Sequence, residues 1–354
     1  MAHETGSADS CVQTASRRIW LSVFLAVLGL GVVVSLVACP SKNNTPAPAK
    51  KIRIGVTQIA THPGIDMVRE GFLEEMARQG FKEGDNVEYE FTNANGDFPT
   101  AQSIAKRFAA SDFDLIFSIS TPSTQTLKNA LVGKATPLVF GAITDPVSAG
   151  IVESLDRPGG SITGTTDVWP IDEQLALLRR LVPEAKRIGV VHNPSESNSV
   201  HSVEILKKVA QDQGLELVLV PVSSSNEVVV AAQSLVGRTD AIYIPADNTV
   251  IAALGAMISV SERHGIPLMP GDTSNVQEGG FGTIGHDYAA IGAESAKIAA
   301  LILNGSAPSD IPVRTSTVHE YYFNLRSAQA TGVDIPRELL DQAKEVYGRP
   351  EDDS

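Results

Sequence analysis

Short apolar runs alternate with stretches of helical periodicity along the central part of the chain. The first run, Ile52–Gln58, is rich in β-branched residues, and apolar positions then recur at helical spacing from Met67 to Met76. The further runs are Val87–Phe91, Leu115–Ile119, Leu138–Phe140, Ile162–Thr165, Ile188–Val191, Leu215–Val220, Ala241–Ile244 and Pro267–Met269. Continuously apolar strands separated by amphipathic helices are typical of parallel sheets that helices cover on both faces. The pattern predicts an α/β fold.

The same β-α unit occurs twice in this pattern. Lys51–Val56 opens the first unit and Lys186–Val191 opens the second, about 130 residues later. Asp114 and Asp240 stand at matching places, each before a β-rich run and a polar turn. Two similar doubly wound lobes that face each other leave a cleft, which is a usual place for a small ligand.

Beyond Gly282 the pattern changes, and this part is predicted to connect the lobes. An Ala-rich helix over 288–303 precedes a β-prone stretch at 313–322 and two helical stretches at 325–330 and 337–346. We expect the chain to cross between lobes near residues 165, 284 and 313. The prediction is a three-crossover hinge, with lobe one at 51–165 plus 285–312, lobe two at 166–284 plus 313–345, and a tail at 346–354.

The N-terminal segment has the pattern of an export signal. Two arginines at 17–18 precede an apolar run over 19–38, which ends in Leu-Val-Ala before Cys39. This ending resembles the lipobox of bacterial lipoproteins and predicts a signal peptide at 1–38 with lipidation of Cys39. A retained signal anchor is the alternative, because about 20 apolar residues can span a bilayer. Residues 39–50 contain three prolines and predict a flexible tether to a membrane outside the cytoplasm.

Composition and motifs argue against several classes of protein. A net charge of -13 disfavours a nucleic-acid-binding surface. The two cysteines, Cys11 and Cys39, both precede the globular part, which therefore has no disulfide, thiol nucleophile or cysteine metal site. The chain has no Gly-x-Gly-x-x-Gly after its first strand, no phosphate loop and no Gly-x-Ser-x-Gly. We expect no enzyme activity, no metal and no cofactor.

Polar residues at the carboxyl ends of the strands are the candidate ligand contacts, because ligands bind at this edge of a parallel sheet. Ser120, Thr121 and Ser123 begin a helix whose free N–H groups suit a carboxylate. Asp247 directly follows an apolar strand, where a shielded carboxylate suits an ammonium group. Capping of the helices that follow is the alternative role for all of these residues.

Further candidates stand at equivalent positions. They are His62, Thr144, Asp145, Asn193, Asn198, Asn248 and Asp287. Each has a structural alternative, such as a turn before proline for Asp145 or a hinge position for Asp287. Four aromatic residues could contact an aromatic ligand, namely Phe98, Trp169, Phe281 and Tyr288.

Several of these motifs, taken in order, resemble those of one known family. The motifs are Gly55–Gln58, Ser118–Pro122, Ile143–Val147, Gly164–Thr166, Asn193–Pro194, Pro245–Val250 and Gly285–Tyr288. The chain resembles the substrate-binding lipoproteins of ABC importers, in the group associated with tryptophan and tyrosine uptake. The resemblance implies a type I periplasmic-binding-protein fold and adds Gln58 to the candidate ligand contacts.

The resemblance also implies a mechanism and partners. A monomeric protein would close its two lobes around an amino acid and dock on an ABC permease. A ligand-sensing lipoprotein of a signalling system is the alternative, and the identity of the solute stays open.

Overall fold

Parallel strands form the centre of both halves of the molecule. The computed structural model describes residues 50–349, so the predicted signal peptide, Cys39 and the tether up to residue 49 lie outside the described residues. The described residues belong to one compact unit. Among them, no helix combines the length and the apolar character needed to cross a bilayer.

The first lobe is built on a six-stranded sheet. Its strands are β1 (Ile52–Gln58), β2 (Val87–Asn93), β3 (Leu115–Ile119), β4 (Leu138–Ile143), β5 (Ile162–Thr166) and β11 (Arg314–Thr315). Its helices are α1 (Pro63–Arg78), α2 (Phe98–Ala110), α3 (Thr121–Ala130) and α9 (Tyr288–Leu303), with a 3-10 turn at Pro308–Asp310. The strand order is β11-β5-β4-β3-β1-β2, and all neighbours are parallel.

The second lobe is built on a four-stranded parallel sheet. Its strands are β6 (Arg187–His192), β7 (Glu216–Pro221), β8 (Ala241–Ile244) and β9 (Leu268–Pro270). Its helices are α4 (Ile171–Leu181), α5 (Ser197–Asp212), α6 (Val228–Ser234), α7 (Asn248–Ile251) and α8 (Leu254–His264), with 3-10 turns at Ser225–Glu227 and Thr273–Val276. The order β7-β6-β8-β9 matches the order β2-β1-β3-β4 of the first lobe.

The repeat that the sequence predicts is present in atomic detail. Asp114 accepts a hydrogen bond from the backbone N–H of Arg53 at 2.8 Å, and Asp240 accepts one from Arg187 at the same distance. Each acid therefore holds the start of the first strand of its lobe. The Arg187 guanidinium also bonds to Asp240 and holds the pKa of that carboxyl at about 2.

A third, smaller sheet extends the second lobe and was not predicted. It contains β10 (Gly282–Gly285), β12 (Glu320–Asn324) and β13 (Ala343–Tyr347) in the order β10-β12-β13. β10 and β12 are antiparallel, whereas β12 and β13 are parallel. Phe281, Ile284 and Phe323 from this region pack into the same apolar core as the four-stranded sheet.

Two predictions for the C-terminal part were wrong. The predicted helix over 337–346 is a short helix, α11 (Arg337–Leu340), followed by strand β13, and the predicted tail from 346 begins inside that strand. Pairing with β12 supplies the backbone hydrogen bonds that override the local helical pattern. A further helix, α10 (Leu325–Ala330), lies where the pattern placed it.

The chain passes between the lobes in three segments, which follow β5, β10 and β11. The first sheet continues to Thr315, two residues beyond the crossing expected near 313. His286 lies within hydrogen-bonding distance of the other two segments, with Nε2 2.7 Å from the Val168 carbonyl and Nδ1 3.3 Å from the Val318 carbonyl. This side chain therefore joins all three connecting segments of the hinge.

Each lobe has its own apolar core. In the first lobe the rings of Phe72 and Phe117 stack with their centroids 3.9 Å apart. In the second lobe Tyr243 is fully buried, and its hydroxyl donates to Gln174 at 2.5 Å. Because the two cores are separate, each lobe can keep its structure while the angle between the lobes changes.

Candidate functional site

A cavity lies between the two lobes at the carboxyl ends of their strands. It comprises about 360 Å³ outside protein atoms, of which only about 30 Å³ is open to the centre of a water molecule. It is lined by His62, Ile65, Ser120, Thr121, Ala142, Thr144, Asp167, Trp169, Asn198, Ala246, Asp247, Asn248, Ile251, Asp272 and Tyr288. The free space fits about two water molecules. A ligand the size of an amino acid can enter only if the lobes move apart.

The N-terminus of α3 forms one wall of this cavity. Ser120 is the residue before the helix, and its side chain does not cap the helix. The hydroxyls of Ser120 and Ser123 are buried without a hydrogen-bond partner among the described residues. Free backbone N–H groups, a partial positive charge and unused hydroxyl donors together suit an anionic group.

Backbone strain is concentrated beside the same cavity. Among the described residues, those other than glycine with positive φ are Asn95, Ser120 and Ala142, and both Ser120 and Ala142 line the cavity. Ser120 has φ 79° and ψ 157°, a region that is essentially restricted to glycine. Strain of this kind persists where the surrounding structure requires a particular backbone position, and it is common at ligand sites.

We predict that Ser120→Gly stabilises the fold but weakens ligand binding. Glycine adopts this φ/ψ without a steric penalty, so the free energy of unfolding should rise by about 0.5–2 kcal/mol after the entropy of glycine is subtracted. Urea denaturation measures this effect. The matched control is Asn95→Gly, because Asn95 has φ 53° and asparagine tolerates that conformation. A loss of stability in Ser120→Gly comparable to that in an ordinary Ser→Gly change would contradict the prediction.

Two buried carboxylates lie at another wall of the cavity. Asp167 follows β5, and Asp272 follows β9. The Oδ1 of Asp167 has no hydrogen-bond partner among the described residues, and its Oδ2 accepts a long bond, 3.4 Å, from the Tyr288 hydroxyl. Burial, together with the nearby charge of Asp272, raises the pKa of Asp167 to about 7. This wall therefore attracts a cation or a proton.

Asp272 is held more firmly than Asp167. Its Oδ1 accepts hydrogen bonds from the backbone N–H and the hydroxyl of Ser274, at 2.8 and 2.6 Å. Burial raises its pKa to about 6 in spite of these donors. No lysine or arginine lines the cavity. No basic side chain in the cavity therefore balances the negative charges of these two acids.

Asp247 also lines the cavity, but both of its oxygens already have backbone partners. Oδ1 accepts from Val250 N at 2.9 Å and caps α7, while Oδ2 accepts from Asn193 N at 2.5 Å. Burial and the neighbouring Glu196 carboxylate raise its pKa. Its bonds join the ends of two strands of the second lobe, so Asp247 acts structurally at this edge. Its predicted contact with an ammonium group stays a prediction.

Trp169 and Tyr288 form the aromatic part of the cavity. The indole Nε1 donates to the Tyr288 hydroxyl at 2.9 Å, and that hydroxyl points on to Asp167. Trp169 lies directly on Gly271, where an added Cβ would be 2.3 Å from the indole ring. The other aromatic candidates lie elsewhere, with Phe281 in the core of the second lobe and Phe98 about half exposed in an outer groove.

The structure divides the predicted site residues into three groups. Those at the cavity are His62, Ser120, Thr121, Thr144, Asn198, Asp247 and Asn248. Asn193 lines the outer groove next to the cavity, and Ser123 is buried in the first turn of α3. Gln58, Asp145 and Asp287 do not line the cavity. The Gln58 amide bonds instead to the Ala60 carbonyl and to Arg69 within the first lobe.

Asp145 and Asp287 have evident structural uses. Asp145 accepts hydrogen bonds from the backbone N–H groups of Val147 and Ser148, as in a turn, and its other oxygen lies 3.3 Å from His201 Nδ1 of the second lobe. Asp287 caps α9. The Asp145 contacts are those of the turn that the sequence left open as its alternative, whereas the hinge role of Asp287 stays a prediction.

The two acids with the most available oxygens, Asp167 and Asp272, were absent from the predicted site. The signal was present in the sequence, since each acid follows the carboxyl end of a parallel strand, as Asp247 does. Asp167 lies at the first crossing, and Asp272 follows the short strand β9 after one intervening residue, Gly271. The rule that selected Asp247, applied to every strand, would have selected all three.

The lobes touch at a glycine on the first helix. Gly64 in α1 is buried, and a Cβ at this position would lie 2.5 Å from the Asp272 carboxylate of the second lobe. Glycine, whose side chain is a single hydrogen atom, permits this close approach of Asp272 to α1. This close contact between the lobes therefore depends on glycine at position 64.

We predict that Gly64→Ala prevents full closure and weakens ligand binding by about 10-fold or more, because the methyl group displaces Asp272 or holds the lobes apart. Calorimetry and small-angle scattering with ligand measure the two effects. The control is Gly255→Ala, where an added Cβ meets no atom within 4 Å. Unchanged affinity and scattering in Gly64→Ala would contradict the role of this contact.

A cleft between two parallel-sheet lobes, with polar groups at both rims, defines a protein that binds a small molecule by closing on it. A profile of the family described as ABC transporter substrate binding protein matches residues 53–347. The chain therefore belongs to this family of extracytoplasmic binding proteins, which are not enzymes.

Relatives with known names are similar over almost the whole chain. A tyrosine-binding protein of Clostridioides difficile is 36% identical over 94% of this chain and 96% of its own length. Among solved structures, an ABC domain from Streptococcus pneumoniae in complex with L-Trp is 33% identical and has a TM-score of 0.80. A conserved domain protein from Vibrio cholerae is 35% identical with a TM-score of 0.81. Both comparisons cover 84% of this chain and 100% of the other. The fold is that of a type I periplasmic binding protein, as the resemblance of the sequence motifs implied.

The comparisons also bear on the angle between the lobes. The ligand-free, open structure of a substrate-binding protein from Clostridium difficile is 38% identical, yet its TM-score is only 0.63 over the same 84% of this chain. The L-Trp complex, at lower identity, agrees much better. Because sequence identity cannot explain this order, the difference indicates that the lobes of the present structure are arranged more as in the L-Trp complex than as in the open structure.

Proposed function

We propose that this chain is the extracytoplasmic, lipid-anchored binding component of an ABC importer, and that it takes up an aromatic amino acid in the cavity between its lobes. The observation that carries the proposal is the opposed chemistry of the cavity walls. The N-terminus of α3 suits a carboxylate, Asp167 and Asp272 suit an ammonium group, and aromatic rings lie beside the acids. The relatives named for tyrosine and L-Trp support the choice of ligand.

The carboxylate of the ligand has a site at α3 in the first lobe. Ser120 supplies a hydroxyl donor, and the first turn supplies backbone N–H groups and the positive end of the helix dipole. Charge-assisted hydrogen bonds of this kind are roughly twice as strong as neutral ones. They would give the buried Ser120 hydroxyl the hydrogen-bond partner that it lacks.

The ammonium group of the ligand has a site at Asp167, with Asp272 behind it. Asp167 carries the free oxygen, and an ammonium group has three donors to place. We assign the ammonium to this pair rather than to Asp247, because the oxygens of Asp247 already accept two backbone hydrogen bonds. A cation between two buried acids also offsets their mutual repulsion.

Closure follows from the position of these groups on different lobes. α3 belongs to the first lobe, Asp272 belongs to the second, and Asp167 lies in the first connecting segment. A zwitterion can contact all of them only when the lobes are together. The ligand thus stabilises the closed form by the contacts that it makes there and not in the open form.

Calorimetry with a panel of ligands tests the proposal. L-Tryptophan or L-tyrosine should bind, whereas N-acetyl-L-tyrosine, which lacks the ammonium group, and tyramine, which lacks the carboxylate, should each bind at least about 100-fold more weakly. L-Lysine and L-glutamate are controls for charge alone. Failure of every aromatic amino acid to bind would overturn the proposed ligand class.

The anchor and the transporter are part of the proposal. Lipidation at Cys39 would hold the protein near a permease, which would accept the closed form. Metabolic labelling with a radioactive fatty acid tests the anchor, with Cys11→Ala and Cys39→Ala compared side by side. Label that is lost only in Cys39→Ala supports lipidation at that residue, and label that persists there contradicts it.

A further inference from the structure

We propose that His62 Nδ1 accepts a hydrogen bond from the ligand's aromatic side chain, so that the site selects aromatic amino acids that carry a donor, a phenol O–H or an indole N–H, over phenylalanine. This inference rests on the proposed function and names a specificity-determining residue for it. A chain of three side chains, Glu196, Asn248 and His62, carries the inference.

Glu196 fixes the orientation of the Asn248 amide. The Glu196 carboxylate accepts hydrogen bonds from the backbone N–H of Asn248 at 3.1 Å and from its Nδ2 at 2.6 Å. It also accepts from the backbone N–H and hydroxyl of Thr249, at 2.9 and 2.6 Å. A carboxylate can only accept, so the NH₂ group of Asn248 must face Glu196. The reversed amide would place two acceptors against each other.

Asn248 in turn fixes the tautomer of His62. With its NH₂ group on Glu196, Asn248 presents Oδ1 to His62 Nε2 across the cleft, at 3.5 Å. This oxygen can only accept, so the contact is a hydrogen bond in the tautomer that carries its hydrogen on Nε2. Burial lowers the pKa of His62 to about 4, and the imidazole is therefore neutral near pH 7. A neutral ring protonated at Nε2 has a bare lone pair at Nδ1.

His62 belongs to the cavity wall, and its Nδ1 has no donor in the described part of the chain. His62 is 7% exposed and lines the cavity, and its Nδ1 has no hydrogen-bond partner among the described residues. Ile65 and Ile251, two other residues of the lining, are apolar. No described side chain donates to Nδ1 in this arrangement, and a ligand in the cavity can supply the missing donor.

The ligand has one donor left for this position. Its ammonium group is assigned to Asp167 and Asp272, and its carboxylate has no donor. The remaining donor of tyrosine is the phenol O–H, and that of tryptophan is the indole N–H. Phenylalanine would leave Nδ1 buried without a partner, and an unsatisfied buried acceptor costs about 1–3 kcal/mol.

Calorimetry on the full chain in detergent tests the selectivity directly. L-Tyrosine should bind about 10-fold to 100-fold more tightly than L-phenylalanine, and L-tryptophan should exceed its isostere 3-benzothienyl-L-alanine, in which sulfur replaces the indole N–H, by a similar factor. These wild-type comparisons do not depend on any variant folding. Affinities within about threefold in both pairs would overturn the inference while leaving aromatic amino-acid binding intact.

His62→Phe assigns the effect to the residue. This variant should lose about 10-fold to 100-fold in affinity for L-tyrosine and L-tryptophan, and its affinity for L-phenylalanine should stay within about threefold of wild type. The control is His192→Phe, because His192 also has a buried Nδ1 without a partner but does not line the cavity. An equal loss for all three ligands would show that His62 acts on the shared backbone of the ligand, and would overturn the inference. Failure of every aromatic amino acid to bind wild type would overturn the proposed function as well.

Discussion

Asp167→Asn should lower the affinity for the amino acid by at least about 30-fold, and up to several thousand-fold. Removing one partner of a buried ion pair costs about 2–5 kcal/mol, because the remaining charge is left in the cavity without compensation. Asp167 is the acid with an unpartnered oxygen in the cavity, whereas Oδ1 of Asp272 and both oxygens of Asp247 already accept hydrogen bonds. Calorimetry or equilibrium dialysis measures the change.

The same variant should be more stable than wild type in the absence of ligand. Burial raises the pKa of Asp167 to about 7, so the folded protein binds a proton there that the unfolded chain releases above about pH 4. The contribution of Asp167 to stability therefore falls as the pH rises from about 4 to about 7. A neutral asparagine avoids this cost, and we expect a gain of about 1–3 kcal/mol at pH 7.5 by urea denaturation.

Two other variants complete the experiment. Asp172→Asn changes an exposed acid in the first turn of α4 and should leave both affinity and stability nearly unchanged. Asp247→Asn removes charge from the acceptor of two backbone hydrogen bonds, so it should reduce stability even without ligand. If Asp247→Asn abolishes binding without loss of stability and Asp167→Asn binds normally, the ammonium site is at Asp247, and the present assignment is wrong.

Ligand affinity should fall steeply below neutral pH, by about 50-fold between pH 7 and pH 5. An ammonium group binds the ionised form of Asp167, and the pKa of this acid is about 7 before the ligand arrives. Each pH unit below the pKa then costs up to about a factor of 10, because a proton must be released for the ligand to bind. Asp272, which has a pKa of about 6, adds to the loss of ligand affinity near pH 5.

The other titratable groups at the cavity do not give the same dependence of ligand affinity on pH. His62 has a pKa of about 4 and stays neutral between pH 5 and pH 7.5. The pKa of Asp247 is also raised, so Asp167→Asn is the variant that separates the two acids. In Asp167→Asn the ligand affinity should depend much less on pH between pH 5 and pH 7. Calorimetry in buffers with different ionisation enthalpies counts the protons released, and we expect close to one near pH 6.5. Constant affinity from pH 5 to pH 7.5 would contradict the ammonium site.

The strands of both lobes could be predicted because their signal is local and repeated. Ile52–Gln58 and Leu115–Ile119 have the predicted bounds, since a strand buried on both faces must be apolar along its whole length. The repeat of the acids Asp114 and Asp240 also came from the sequence. Strand β13 could not be predicted, because its hydrogen bonds come from β12, about 20 residues away in the chain.

The position of the site could be predicted from the sequence, but the role of each residue in it could not. The rule that ligands bind at the carboxyl ends of strands selected seven of the lining residues. It could not say which carboxylates keep a free oxygen, because this depends on hydrogen bonds from other segments, such as the one from Asn193 N to Asp247. Asp145 and Asp287 satisfy the same rule but face a turn and a helix N-terminus. The neutral state of His62 likewise depends on burial by both lobes.

A crystal structure of the protein with L-tyrosine or L-tryptophan tests the central claim most directly. The account predicts a closed form in which the ammonium nitrogen lies within about 3 Å of Asp167 Oδ1. It also predicts that the ligand carboxylate lies at the first turn of α3, in contact with the Ser120 hydroxyl. An ammonium group on Asp247 with Asp167 still unpartnered, or a ligand bound outside this cavity, would contradict it.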